Sequence, residues 1–163
     1  MSCLVPRGCW CNIIILNVRA PSEEKSDDSK GTFYGELEQV FDNFPKYHTK
    51  SLLGDFNAKL GREDIFKPTV GNESLHQDSN DSGVRIVNFA TAKNLVVKST
   101  MFPHRNILKY TWTSPAGKTR TQIDHKLIDR KWHANILDVR PLSGADCDTD
   151  HCLVVAKVRG KDW

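Results

Sequence analysis

The sequence predicts a layered α/β domain: two packed β-sheets flanked by helices. Three observations predict it. Short β-branched or leucine-rich runs recur along the chain, two segments between them carry apolar residues at helical spacing, and after the second segment mostly strand-like runs remain. With 163 residues, 39% of them apolar, the chain is long enough for one domain with a proper core.

Residues 1–9 are set aside. "LVPRG" at 4–8 resembles the thrombin-cleavage linker of expression vectors, so the domain is taken as 10–163. "CNIIILNVR" at 11–19 is short, continuous and β-branched, as a buried strand requires. "APSEEKSDDSKG" is a polar loop with Pro, Ser and Gly punctuation. Thr32 then caps a helix on which Phe33, Leu37, Val40, Phe41 and Phe44 share one face, and Pro45 stops it. Residues 50–55 form the next strand. Residues 62–81 show no period and are a long loop, a length often tied to function. Ser82 opens a second helix, "SGVRIVNFATAKNL". Strands follow at 96–101, 110–113, 122–129, 136–141 and 152–159.

Composition excludes several classes. No apolar run reaches the length of a membrane helix, and the first ten residues hold no apolar signal core. The five cysteines (Cys3, Cys9, Cys11, Cys147, Cys152) fit neither a disulfide framework nor a zinc ribbon, which makes thiols in a reducing compartment the default. The net charge is only +3, but between residues 98 and 131 eight basic residues face two acidic ones. Such a stretch suits a phosphate backbone, with a solvated face as the competing reading. Lys118 and Arg120 are its candidate DNA contacts.

Three acidic clusters sit at strand ends. Asp55 and Asn57 lie in "SLLGDFNAKLG", Asp124 in "TQIDHKLI", and Asp150 with His151 in "CDTDHCLVV". Each alone has an ordinary explanation. Asp-x-Asn at a strand end is turn chemistry, and His125 or His151 could be a satisfied core histidine. If the strand continued through Asn57, Asp55 and Asn57 would point the same way. Together the clusters describe a site. Converging carboxylates repel unless a cation bridges them, and oxygen ligands favour Mg²⁺ or Mn²⁺. A hard cation, a carboxylate base and a histidine suit water attack on a phosphodiester.

"GDFN", "QIDHKLI" and "TDHCLV", in that order with "YTWTSP" between, resemble the endonuclease/exonuclease/phosphatase superfamily. "LNVRAP", "KSTMFPHR" and "QIDHKLID" resemble its RTE-type non-LTR retrotransposon endonuclease domains. The resemblance implies a Mg²⁺- or Mn²⁺-dependent DNA endonuclease, located in the nucleus, with an inositol-phosphate or sphingomyelin phosphatase as a lesser reading. It also implies roles. Asp55 is the base or water-orienting carboxylate, Asn57 holds the phosphate and Asp55, and His151 binds a phosphate oxygen with Asp124 paired to its ring. Asp150 helps bind the metal, directly or through water. Thr111 and Trp112 line the nucleic-acid groove, and Asn80 matches a phosphate-contacting Asn.

Two positions depart from the family pattern: Arg19 stands where a Tyr precedes Ala-Pro, and Ser22 where an Asn often follows it. Arg binds phosphate electrostatically but is no phenolic acid. Family members also begin with strands that bring an Asn and a metal-ligating Glu, and nothing before Cys11 matches them. The expectation is therefore an N-terminally truncated domain with weak or no activity, a DNA- or partner-binding relic as the alternative, and self-association through the truncated sheet.

Overall fold

The computed structural model describes residues 1–6, 13–142 and 149–159. Cys9, Cys11, Cys147 and the start of the strand expected at 11–19 lie outside them. The main sheet has five strands in the order β1-β2-β3-β7-β4. Strand β2 (Ile13–Arg19) runs parallel to β3 (Thr49–Asp55), and helix α1 (Asp27–Asp42) makes the crossover between them. Strand β7 (Asp124–Asp129) lies antiparallel to β3, and β4 (Leu95–Val97) antiparallel to β7. Residues Ser2–Leu4, set aside above, form an edge strand, β1, antiparallel to β2. Helix α2 (Asp81–Ala92) leads into β4.

The alternation of β2 decides which face is covered. Ile14, Leu16 and Val18 are buried while Ile13 and Ile15 are half-buried. Of these, Leu16 and Val18 meet Leu37 and Phe41 of α1, Ile86, Val87 and Ala90 of α2, and Leu52 and Leu127 in one core. Leu37, Leu52 and Leu127 have no exposed surface, so truncating any of them to Ala costs about 2–5 kcal/mol. On the other face a hairpin of β8 (Ile136–Pro141) and β9 (Val154–Val158) covers only the β7–β4 end, where Ile136 and Val139 pack on Val96 and Ile128. A third, two-stranded sheet pairs β5 (Trp112–Thr113) with β6 (Arg120–Thr121).

The mixed α/β architecture matches the expectation, and the boundaries differ for local reasons. Helix α1 begins at Asp27, because Ser26 accepts the Ser29 amide and Asp27 and Asp28 suit the first turn. Thr32 is not the cap; its hydroxyl donates back to the Asp28 carbonyl within the helix. Asn80, not Ser82, caps α2 by accepting the Gly83 amide. The strand expected at 96–101 stops at Val97, and a 3-10 turn takes Lys98–Thr100. The strand expected at 122–129 starts at Asp124, and a separate short strand, β6, precedes it at Arg120–Thr121.

Candidate active site

The site grows from one register. Asp55, the last residue of β3, lies opposite Asp124, the first residue of β7. Facing residues of antiparallel strands share a face, so two carboxylates meet at one sheet end. Gly54 permits the close approach of β3 to β2 just before Asp55. Its φ is +138°, and a Cβ there would lie 2.0 Å from the Val18 carbonyl oxygen, so no other residue fits.

Beyond Asp55 the strand does not continue. Asn57 has φ +48°, and its amide donates to Asp55 Oδ1 at 2.9 Å. This is the turn chemistry that Asp-x-Asn suggests, and it also holds the Asp55 carboxylate. Asn57 Nδ2 donates to the Ala20 carbonyl at 3.0 Å, so Asn57 ties its turn to the end of β2 instead of lying parallel to Asp55.

His151 Nδ1 lies 3.0 Å from Asp124 Oδ2, and Nε2 lies 3.8 Å from Asp55 Oδ2. With Nδ1–H donated to Asp124, Nε2 faces Asp55 and the cleft. Thr149 Oγ1 accepts the His151 amide and donates to its carbonyl, and a backbone bridge pairs His151 with Trp112. Burial pushes the Asp55 carboxyl above the ordinary range. The Asn57 amide opposes that, the Asp124 charge adds to it, and His151 and Arg19 oppose it.

Asp55, Asp124 and His151 each offer a donor atom, all within 4.8 Å of one another. Two carboxylates at that spacing, with the imidazole beside them, fit one divalent ion, which would offset the Asp124 charge that adds to the effect of burial on Asp55. Asp150 is not in the set. It is exposed, and its Oδ2 accepts from Trp112 Nε1 at 2.7 Å, a hydrogen bond that holds its carboxyl below the usual range. It forms a wall of the cleft instead of a ligand cluster.

Thr111 does not line a groove. It is 1% exposed, and its Oγ1 accepts the amides of Ile123 and Asp124 at 3.0 and 3.1 Å. Its carbonyl accepts the Cys152 amide at 2.7 Å. Thr111 thus fixes the Asp124 and His151 segments to each other. Trp112 does line the cleft, a cavity of about 840 Å³ that also takes in Arg19, Asn57, Asn80, Asp150 and His151. Asn80 turns its Nδ2 to Glu23 at 2.7 Å, while its Oδ1 accepts from Lys59 and Gly83.

The basic stretch is not one surface. Lys98, Lys109 and Lys126 are buried, Lys109 pairs with Glu73 at 3.3 Å, and burial pulls Lys126 down to about 8. Lys118 is exposed between β5 and β6 outside the cleft lining, and Arg120 lies over the Tyr110 ring at 4.7 Å. Glu23 and Lys59 line the cleft without having been singled out; their one signal is nearness to Arg19 and Asn57 in the chain. His125 is the satisfied core histidine. It is buried between Ser99 and Ala58, and desolvation lowers it to about 4.

No protein-family model matches the chain. Over 150 residues it is 32% identical to craniofacial development protein 2 of Tragulus javanicus and to that of Bos taurus. The match covers 92% of this chain and 26% and 25% of theirs, so the chain spans about a quarter of those relatives' length. Among solved structures, a 3′ phosphatase NExo from Neisseria bound to a product DNA hairpin superposes with TM-score 0.62 and 23% identity. It covers 93% of this chain and 62% of that one. The endonuclease domain of TRAS1, a telomere-specific non-LTR retrotransposon, gives 0.61 and 12%, over 96% and 62%. An endonuclease/exonuclease/phosphatase family protein from Leptotrichia buccalis gives 0.60 and 12%, over 97% and 52%. The chain has the fold these structures share.

Proposed function

We propose that this chain, built on the endonuclease/exonuclease/phosphatase fold, hydrolyses phosphodiesters of DNA with the help of a divalent cation. The observation that carries this reading is the line Asp124–His151–Asp55, with contacts of 3.0 and 3.8 Å, opening into a cleft with Arg19 on its wall. Asp55, at the end of β3 and facing the cleft, is the base that takes a proton from the attacking water as the P–O bond to the leaving oxygen breaks. Asp124 holds the His151 ring so that Nε2 faces the cleft, where an N–H would donate to a phosphate oxygen as charge develops there. Arg19 adds a positive charge for the anionic substrate. A Mg²⁺ or Mn²⁺ ion held by Asp55 and Asp124 would supply Lewis-acid stabilisation of that charge. Two carboxylates are a small ligand set, completed by waters and substrate oxygens, which makes weak turnover the expected level.

Supercoiled plasmid incubated with the protein and Mg²⁺ or Mn²⁺ tests this. Nicking that EDTA abolishes supports it. Faster turnover of small phosphoesters than of plasmid favours a phosphatase. A second reading, DNA binding without cleavage, draws on Asp150, whose carboxylate is bonded to Trp112 instead of the cluster. Binding that weakens steeply with salt, with no metal-dependent nicking, identifies it.

The motifs "YTWTSP" and "QIDHKLID" support a retrotransposon origin for the domain. Self-association belongs to the proposal as well. β1 and β9 are edge strands, and Ile13, Ile15 and Leu53 stay half-buried on the sheet face away from the helices. Elution volume that falls with protein concentration supports pairing of two copies, and a monomer at every concentration contradicts it.

A further inference from the structure

Directly behind the carboxylates, His125 joins two catalytic segments. Its Nε2 lies 2.7 Å from the Ala58 carbonyl oxygen, and its Nδ1 lies 2.9 Å from Ser99 Oγ. A carbonyl can only accept, so Nε2 carries the proton and the Ser99 hydroxyl donates to Nδ1. Ala58 follows Asn57 in the turn that starts at Asp55, and His125 follows Asp124 on β7. A second tie, from the Phe56 amide to the Ile123 carbonyl at 3.1 Å, holds the same turn to the residue just before β7. Ser99 is itself fixed, since Gln122 Nε2 donates to its carbonyl and Gln122 Oε1 accepts the Leu75 amide. His125 is 2% exposed and Ala58 fully buried, so this bond is shielded from bulk water.

We infer that His125 is a positioning residue: its Nε2–H clamps the Asp55–Asn57 turn onto β7 and so sets the spacing between the Asp55 and Asp124 carboxylates. The inference rests on the proposed metal-dependent chemistry for its catalytic consequence, but not for its geometric one. An apolar ring of similar size would fill the space and leave the Ala58 carbonyl buried without a donor, a state the turn relieves by moving. A glutamine amide reaches where Nε2 stands and restores the donor.

The test compares wild type, His125→Phe and His125→Gln by Mn²⁺ binding, read by electron paramagnetic resonance, and by plasmid-nicking kinetics. In His125→Phe, Mn²⁺ affinity and kcat each fall about tenfold or more, the range seen when support of metal ligands is removed, with KM little changed. His125→Gln recovers most of both. A folded His125→Phe with wild-type Mn²⁺ affinity and kcat overturns the inference, as does a glutamine variant no better than the phenylalanine one. If His125→Phe does not fold, ¹⁵N NMR of the wild-type imidazole decides, since a proton on Nδ1 instead of Nε2 overturns the assignment. If wild type binds Mn²⁺ but nicks nothing, the nuclease reading fails while the Mn²⁺ comparison still tests His125.

Discussion

Replacing Asp124 by Asn separates what the carboxylate does for His151 from what the fold does for both. The amide is nearly isosteric, and the Thr111 hydroxyl still receives the backbone amide of residue 124, so the strand start stays in place. What is lost is a charged acceptor 3.0 Å from His151 Nδ1. A hydrogen bond to a charged group contributes about 1.5–3 kcal/mol, and about 1.36 kcal/mol is tenfold in rate. Orientation alone therefore accounts for a fall of roughly 10- to 150-fold in kcat. If the new amide presents its N–H to the ring, the wrong tautomer follows, and the loss moves toward about 10⁴-fold, as when a histidine's supporting aspartate is amidated in a serine protease. The assay is single-turnover nicking of supercoiled plasmid at saturating Mn²⁺, so that weaker metal binding does not pass for slower chemistry. KM stays within about threefold because substrate binding is not what Asp124 supports. A kcat within about threefold of wild type, or a loss confined to KM, refutes the argument.

Asp55→Asn abolishes nicking yet raises the melting temperature at neutral pH. Burial raises the folded carboxyl above its unfolded value, so the folded state binds its proton more tightly, and ionised Asp55 costs stability above that raised value. The gain from the amide is therefore full at pH 7 and shrinks as pH falls through the raised value. Calorimetry across that range checks it, and a variant less stable than wild type at pH 7 contradicts it. Gly54→Ala destabilises by about 3 kcal/mol or more, since φ +138° and a 2.0 Å approach to Val18 both forbid a Cβ. Urea unfolding with an unchanged midpoint would contradict that. Asp150→Asn leaves Mn²⁺ affinity within about threefold, far from the 10- to 100-fold cost of disturbing ligand support. It also changes Trp112 fluorescence through the indole bond; a larger loss of affinity would return Asp150 to the metal site.

Much of this site was legible because its residues end elements. Leu52 and Leu53 run into Gly54 and Asp55, and the turn-forming Asn57 with φ +48° follows, so "LLGDFN" announces both the strand and its acidic tip. Asp124 was legible for the same reason at the start of β7. Other features were hidden because they depend on partners distant in the chain. Counting charges between 98 and 131 says nothing about face, and Lys98, Lys109 and Lys126 turn inward, the last from β7 opposite Leu53. Thr111 reads as a groove residue until the fold brings the amides of Ile123 and Asp124 to its hydroxyl. The bond from Trp112 to Asp150 likewise appears only once the fold brings the two together. The start of α1 was missed because Ser26 and Thr32 both have cap chemistry, and the choice between them falls to the packing of Lys30 against Asp81 and Glu23.

The most direct test is the Mn²⁺-dependent nicking rate of His151→Ala beside wild type, both shown folded by circular dichroism. The account predicts measurable nicking by wild type and a loss of at least about a hundredfold in the variant, the scale of removing one group that stabilises developing charge. Equal rates in the two proteins would mean that the imidazole between Asp124 and Asp55 does no chemistry.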